Sequence, residues 1–225
     1  MEVYLHIKMN EKLFLRNPEE TDLGKKIIQH AIILIHKIGF EAFTFKKLAH
    51  EIGTTEAGIY RYFENKHLLL TYIVDWYWSW QDYRIDFHNN NIIDPELRLK
   101  KAIHILSEKV VDDISTPYIN ENLLYDIVMS EGAKAFLTRH VNVYNEAKLF
   151  KPYKDLCTKI ADLIIACNSD YQYSRSIATS VLEMSHSLNF YIKNLPSLTD
   201  VAEAKDENYI ANFLEKLVFT AIQKN

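Results

Sequence analysis

The chain is poor in residues that break or staple a fold: 225 residues hold two cysteines, five glycines and five prolines. Cys157 and Cys167 stand ten residues apart. Within one helix a rise of about 1.5 Å per residue separates them by about 15 Å, too far for a disulfide. They read as reduced thiols, and Met1 to Asn10 lacks the apolar core of a secretory leader, so the expected location is the cytoplasm. No apolar run approaches the roughly 20 residues of a membrane span; Ala31 to Ile35 and Leu163 to Cys167 are among the longest. Nor does one sign of charge dominate. A net charge of −4 excludes a protein that coats nucleic acid over its whole surface, so any contact with it must be local.

Catalytic signatures are also missing. The sequence has no phosphate-binding glycine loop, nucleophile elbow or HExxH zinc motif. Glu183-x-x-His186 has the helical spacing of a di-iron ligand pair, but such a site needs a second pair and two more glutamates. The other pair, Glu64-x-x-His67, falls in a turn after a short helix. We expect no metal, no cofactor and no enzymatic activity, with a helical-bundle metal enzyme as the remote alternative.

What is present is apolar and helical. Hydrophobic residues make up 48% of the chain, enough to bury a core, and they recur at three- and four-residue intervals. The expected fold class is all-α. Val3, Leu5, Ile7 and Met9 alternate with polar neighbours, suggesting a short extended piece in an N-terminal extension, residues 1–21. From Asp22 the period changes: Ile27, Ala31, Leu34 and Ile38 mark a first helix, stopped by Gly39. Thr44 caps a second helix, Phe45 to Ile52, closed by Gly53. Thr55 caps a third, Glu56 to Phe63, with Ala57, Ile59 or Tyr60, and Phe63 inward. Asn65 then starts a long helix, Lys66 to about His88, suited to connect this head to a body. Further helices are expected at Pro95 to about Ile114, Asn120 to Ser130, Ala133 to about Glu146, Pro152 to Ala166, Tyr173 to Lys193 and Glu207 to Ile222.

Two short helices joined by Gly53-Thr54-Thr55 have helix-turn-helix spacing. The string Gly53-Thr54-Thr55-Glu56-Ala57-Gly58-Ile59-Tyr60-Arg61-Tyr62-Phe63-Glu64-Asn65-Lys66-His67-Leu68-Leu69, preceded by Phe43-Thr44-Phe45-Lys46-Lys47-Leu48-Ala49, resembles the DNA-binding domain of TetR-type regulators. The resemblance spans about residues 22 to 72. It implies a helix-turn-helix domain at 22–69 and a regulatory and dimerisation domain at 70–225. It also implies that Thr44, Thr55, Tyr60 and Lys66 hold phosphates, with Lys46 beside them, while Glu56, Ala57, Gly58 and Arg61 meet base edges. Hydroxyls and helix N-termini donate to phosphate, and a guanidinium forks onto guanine. Gly58 departs from the serine or threonine usual there; it either lets DNA approach or avoids a clash. Glu56 departs from a basic residue: it repels phosphate, yet accepts from cytosine N4 or stabilises the helix start. Seven cations (Lys25, Lys26, Lys37, Lys46, Lys47, Arg61, Lys66) face five carboxylates between 22 and 69, so the head is mildly basic.

In the body, Ile177, Val181, Met184, Leu188 and Tyr191 form one stripe, and Ile210, Leu214, Leu217 and Ala221 another. They are expected to build a four-helix interface of a homodimer, or else to face the chain's own core. Trp76, Trp80, Tyr83, Tyr125, Met129, Phe136 and Tyr144 are candidate lining for a small apolar or aromatic inducer, which the resemblance implies. The expected function is a repressor binding a palindromic double-stranded DNA operator, with a helical protein-interaction adaptor as the alternative.

Overall fold

The computed structural model describes residues 5–200 and 208–223. Its architecture is all-α: α1 Asp22–Ala42, α2 Phe45–Ile52, α3 Glu56–Tyr60, α4 Lys66–Asn89, α5 Pro95–Ser107, α6 Glu121–Glu131, α7 Ala133–Phe136, α8 Val141–Glu146, α9 Lys151–Cys167, α10 Ser174–Asn194 and α11 Tyr209–Ala221. Two compact units divide the chain: 1–78 with 110–152, and 79–109 with 153–225.

The first unit is organised on α1. Its buried face carries Ile27, Ile28, Ala31, Ile32 and Ile35, spaced for one side of a 3.6-residue helix. Thr21 Oγ1 accepts the Gly24 N–H at 3.0 Å and starts the helix. Ahead of it an N-terminal arm wraps the helix in two 3₁₀ turns, Glu11–Leu13 and Pro18–Glu20. Gly24 is what lets the arm come so close, since a Cβ there would lie 2.2 Å from the Pro18 carbonyl oxygen. The alternation expected at the start is real: Ile7 and Met9 are buried while His6 and Lys8 are exposed. It has no strand to pair with among the described residues, and Val3 lies outside them. Glu19 ties the arm down by accepting from the Tyr72 hydroxyl at 3.2 Å and pairing with His6 at 2.8 Å.

α6 lies against α1 and shares this unit's core through Leu124, Ile127 and Val128. The segment before it is not helical, so α5 ends at Ser107 rather than near Ile114. The cause is side-chain competition for backbone groups. Asp113 Oδ1 accepts the Ser115 N–H at 2.8 Å, and Asp112 Oδ1 accepts the Asn122 N–H at 3.0 Å. The expected single helix from Ala133 to Glu146 is likewise broken, with Thr138 Oγ1 accepting the His140 N–H at 3.0 Å between α7 and α8. Two cavities open beside the arm, of about 450 and 390 Å³, with Gln29 and Pro117 lining both.

The second unit packs α5, α9, α10 and α11 around Leu99, Ile103, Leu156, Ile160, Leu182 and Leu214. Lys159 bridges Asp82 and Asp86 at 2.7 and 2.6 Å, and Lys100 reaches Glu215 at 3.1 Å. α11 begins at Tyr209; Glu207, where the sequence pattern starts it, lies outside the described residues. Among the described residues no helix is long and apolar enough to cross a membrane.

Glu121 gives the first unit a pH dependence. Its carboxylate is fully buried and accepts from the Thr116 hydroxyl and, at 3.0 Å, from the Asp113 N–H. Burial pushes its pKa up to about 7. Folding therefore favours the protonated group, and the stability this contributes is present at acid pH and lost as pH rises through about 7. The expected outcome is that Glu121→Gln, which keeps an acceptor without the charge, raises the melting temperature at pH 8 and flattens its decline between pH 5 and pH 8.

Candidate DNA-binding interface

The head is α1, α2 and α3. α2 buries Phe45, Leu48 and Ala49, and Gly53 ends it in the left-handed conformation, φ 68°, ψ 37°, where its N–H returns to the Ala49 and His50 carbonyls. Thr55 then caps α3 by accepting the Gly58 N–H at 3.1 Å, as Thr44 caps α2 by accepting the Lys47 N–H at 3.2 Å. Both hydroxyls thus spend a lone pair on the helix and keep their own hydrogen to donate outward.

α3 is shorter than its sequence pattern suggests and ends at Tyr60, with Arg61 as its cap. Its inward residue is Ile59, and the chain beyond the helix contributes Tyr62 and Phe63 to the core. Ala57, expected inside, is exposed, and of the alternatives Ile59 and Tyr60 it is Ile59 that is buried, Tyr60 being 47% exposed. The turn at Arg61 is the reason, because it swings Tyr62 inward to place its hydroxyl 2.7 Å from Thr21 Oγ1. Tyr60 instead lies edge-on to Phe45, with ring centroids 5.0 Å apart. Glu56, Ala57, Tyr60 and Arg61 are therefore exposed, as are Thr44, Lys46 and Thr55. Gly58 avoids a clash within the turn itself: a Cβ there would lie 2.9 Å from Thr54 Oγ1.

Lys66, to which the resemblance assigns a phosphate, has partners within the chain. Its Nζ donates to the carbonyls of Phe40 at 3.0 Å, Glu41 at 3.2 Å and Phe43 at 3.2 Å, and lies 4.6 Å from the Phe40 ring centroid. Lys47 Nζ takes the remaining carbonyl, Ala42, at 2.8 Å. A helix end leaves four carbonyls without intrahelical donors, and these two lysines serve the segment that closes α1. The same segment turns at Gly39, φ 75° and ψ 156°, a region that only glycine enters without strain. On its other side Glu131 Oε1 accepts the Phe40 N–H at 3.0 Å, and Lys134 bridges Glu131 and Glu41, each at 2.8 Å. Sequence reasoning missed Lys47, Tyr62 and Glu131; for Lys47 the carbonyls left at the end of α1 were the available signal, while Tyr62 and Glu131 meet partners 41 and 91 residues away.

The candidate effector residues fall in both units. In the first, Trp76 and Tyr125 are buried, Met129 is half-buried, and Phe136 and Tyr144 each lie 6.5 Å from the Phe150 ring. In the second, Trp80 is buried beneath the Arg84 guanidinium, 4.7 Å from its ring, and Tyr83 is exposed. Neither of the two cavities beside the arm is lined by any of these seven.

Of the candidate dimer residues, Val181, Ile210 and Leu214 are buried in their own unit and serve its core. Ile177, Met184, Leu188 and Tyr191 are half-buried, while Leu217 and Ala221 are exposed. A stripe defined only by apolar spacing merges the inner and outer edges of a helix face, which is why the pattern joined them. Phe213, outside that stripe, is exposed and stacks on Tyr209 with centroids 6.4 Å apart. In Glu183-x-x-His186 the carboxylate accepts from the Tyr153 hydroxyl at 2.6 Å, whereas the buried imidazole lies 2.8 Å from the Leu182 carbonyl oxygen. Burial lowers the His186 pKa, and the described residues contain no group of three His, Cys, Asp or Glu placed to hold a metal.

Two capped helices around a glycine turn, with exposed hydroxyls and an exposed guanidinium, have the geometry of a helix-turn-helix. Residues 27–73 match the family model of bacterial regulatory proteins, tetR family. Solved structures extend the likeness beyond that segment. AibR, in complex with isovaleryl coenzyme A and operator DNA, is 18% identical over 87% of this chain and 98% of that one, with a TM-score of 0.60. The fatty acid degradation regulator FadR from Bacillus halodurans is 17% identical over 86% and 92%, with a TM-score of 0.61. PfmR, a TetR family transcriptional regulator from Thermus thermophilus, is 16% identical over 88% and 99%, with a TM-score of 0.56. No curated protein matches the chain. The N-terminal segment is thus similar to the DNA-binding domain of the tetR family, and the chain as a whole shares the fold of these solved regulators.

Gly39→Ala is expected to destabilise the protein by about 1–3 kcal/mol, the cost of forcing a Cβ into its backbone conformation. Urea unfolding measures it, and an unchanged midpoint would contradict the assigned turn.

Proposed function

We infer that this regulator is a cytoplasmic repressor that binds a palindromic operator as a homodimer and is released by a small, largely apolar or aromatic inducer. The observation that carries this reading is the pair of capped helices about the Gly53 turn, on and beside which Thr44, Thr55, Tyr60 and Arg61 are all exposed, offering hydroxyl hydrogens and a guanidinium to a ligand outside the chain. In the proposed complex Thr44, Thr55 and Tyr60 donate to phosphates, Lys46 supplies charge beside them, and Arg61 reads a base edge. Ala57 and Gly58 allow close approach, and Glu56 rejects phosphate at the start of α3.

Dimerisation suits the mild charge of the head, because two heads on half-sites about 34 to 36 Å apart add their affinities. The proposed partner surface is the outward edge of α10 and α11, where Met184, Leu188, Phe213, Leu217 and Ala221 leave apolar area uncovered. An adaptor would use the same surface for another protein, but it would have no need of the capped reading helices. For the inducer, Trp76, Tyr125, Met129, Phe136 and Tyr144 remain the candidate lining in the first unit, and Trp80 and Tyr83 in the second. The coenzyme A thioester in the AibR complex is consistent with an apolar effector carrying a polar head.

The test is a titration of the purified protein with duplex DNA from its own upstream region across salt concentrations. A specific complex with a steep negative salt slope is expected, and its absence at every sequence tried refutes the reading. Arg61→Ala should cost about 1–3 kcal/mol on the preferred sequence and relax discrimination at one position. Leu217→Glu with Phe213→Glu should convert a sedimenting dimer to a monomer and weaken operator binding with it; a monomeric wild type removes the dimer.

A further inference from the structure

We propose that Lys66 is a positioning residue rather than a phosphate ligand, and that with Glu131 it fixes the turn at 39–43 from which the reading helices hang. The inference rests on the DNA-binding reading but concerns how the head is aimed. An ammonium has three hydrogens, and all three of Lys66's are directed at carbonyls of one turn. Turning the group outward to a phosphate would leave the carbonyl of buried Phe43 without this donor, the Phe40 carbonyl with only the longer bond from the Phe43 N–H at 3.3 Å, and would lift the charge off the Phe40 ring.

The turn is held from outside because Gly39 breaks the helical path of α1, and the Phe43 N–H that bonds back across it is shared between the Gly39 and Phe40 carbonyls. Phe40, the first residue after it, offers its N–H to Glu131 on α6 and its carbonyl to Lys66 on α4. Both ends of one peptide-bearing residue are thus gripped by two other helices of the same unit. Thr44, which caps α2 and belongs to the reading face, follows four residues later. A displacement of α6 relative to α1 pulls on the Phe40 N–H and so changes the orientation at which Thr44, and with it α2 and α3, meets DNA. Lys134, pairing Glu131 with Glu41, braces the same joint.

Positioning and phosphate contact predict different salt dependences. Each neutralised phosphate contributes about 0.9 to the slope of log affinity against log salt. Lys46→Ala, the reference for a phosphate-facing lysine, should lower that slope by about one. Lys66→Met should weaken binding about tenfold at temperatures well below its melting point while leaving the slope unchanged. Lys66→Arg, whose guanidinium can regain part of the carbonyl bonding, should recover part of the loss.

Glu131→Ala supplies the opposite sign of charge: it should also weaken binding at unchanged slope, whereas relief of a repulsive carboxylate would strengthen it. Amide exchange at Phe40 and Phe43, measured without DNA, should accelerate in Glu131→Ala and Lys66→Met respectively. A slope reduced by one in Lys66→Met, or amide exchange unchanged in these variants, overturns the inference. Failure of the wild-type protein to bind any duplex refutes the DNA reading instead, and the exchange measurement then still decides whether Lys66 and Glu131 hold the turn.

Discussion

The head depends on a single backbone problem: α1 kinks at Gly39 just before it ends, and the carbonyls of the turn that follows need donors from outside the helix. Here Lys66 and Lys47 supply them, and Glu131 accepts the N–H exposed on the other side of the turn. Every later element of the reading head inherits its direction from that solution. Thr44 leaves the turn in an extended conformation, α2 follows, Gly53 reverses the chain, and Thr55 starts α3. Each junction is closed by one hydroxyl or one glycine, so the head is built from caps as much as from core.

Committing two lysines to backbone carbonyls has an electrostatic consequence. The mild basicity counted along residues 22–69 overstates what is available to a partner. Lys25 lies over the Tyr118 ring, while Lys46 and Arg61 remain exposed, as do Thr44, Thr55 and Tyr60. Under the proposed function, affinity then comes from hydroxyl and backbone donors supplemented by few charges, which makes pairing of two heads more important than the field of either one.

Much of the architecture was legible in the sequence. The helix starts at Phe45, Glu56 and Lys66 were marked by Thr44, Thr55 and Asn65, and each of these side chains accepts a backbone N–H in the structure. The errors cluster where side chains outside the periodic pattern intervene. Asp112 and Asp113 hold their segment out of α5, and Thr138 splits α7 from α8. Apolar spacing also joined Val181, Ile210 and Leu214 to the exposed Leu217 and Ala221, because periodicity marks a face without saying what covers it.

The sequence by itself determined which segments become helices, where the glycines interrupt them, and which residues could form a helix-turn-helix. Those properties are local: a cap, a positive φ and a hydrophobic period act within one or two turns. Tertiary structure decided what each charged or aromatic side chain does. Lys66 meets carbonyls 23 to 26 residues away, Tyr62 reaches Thr21 across 41, and Glu131 meets Phe40 across 91. Such partners are selected by the folded path of the chain, so residue type fixes the chemistry on offer while the fold assigns its recipient.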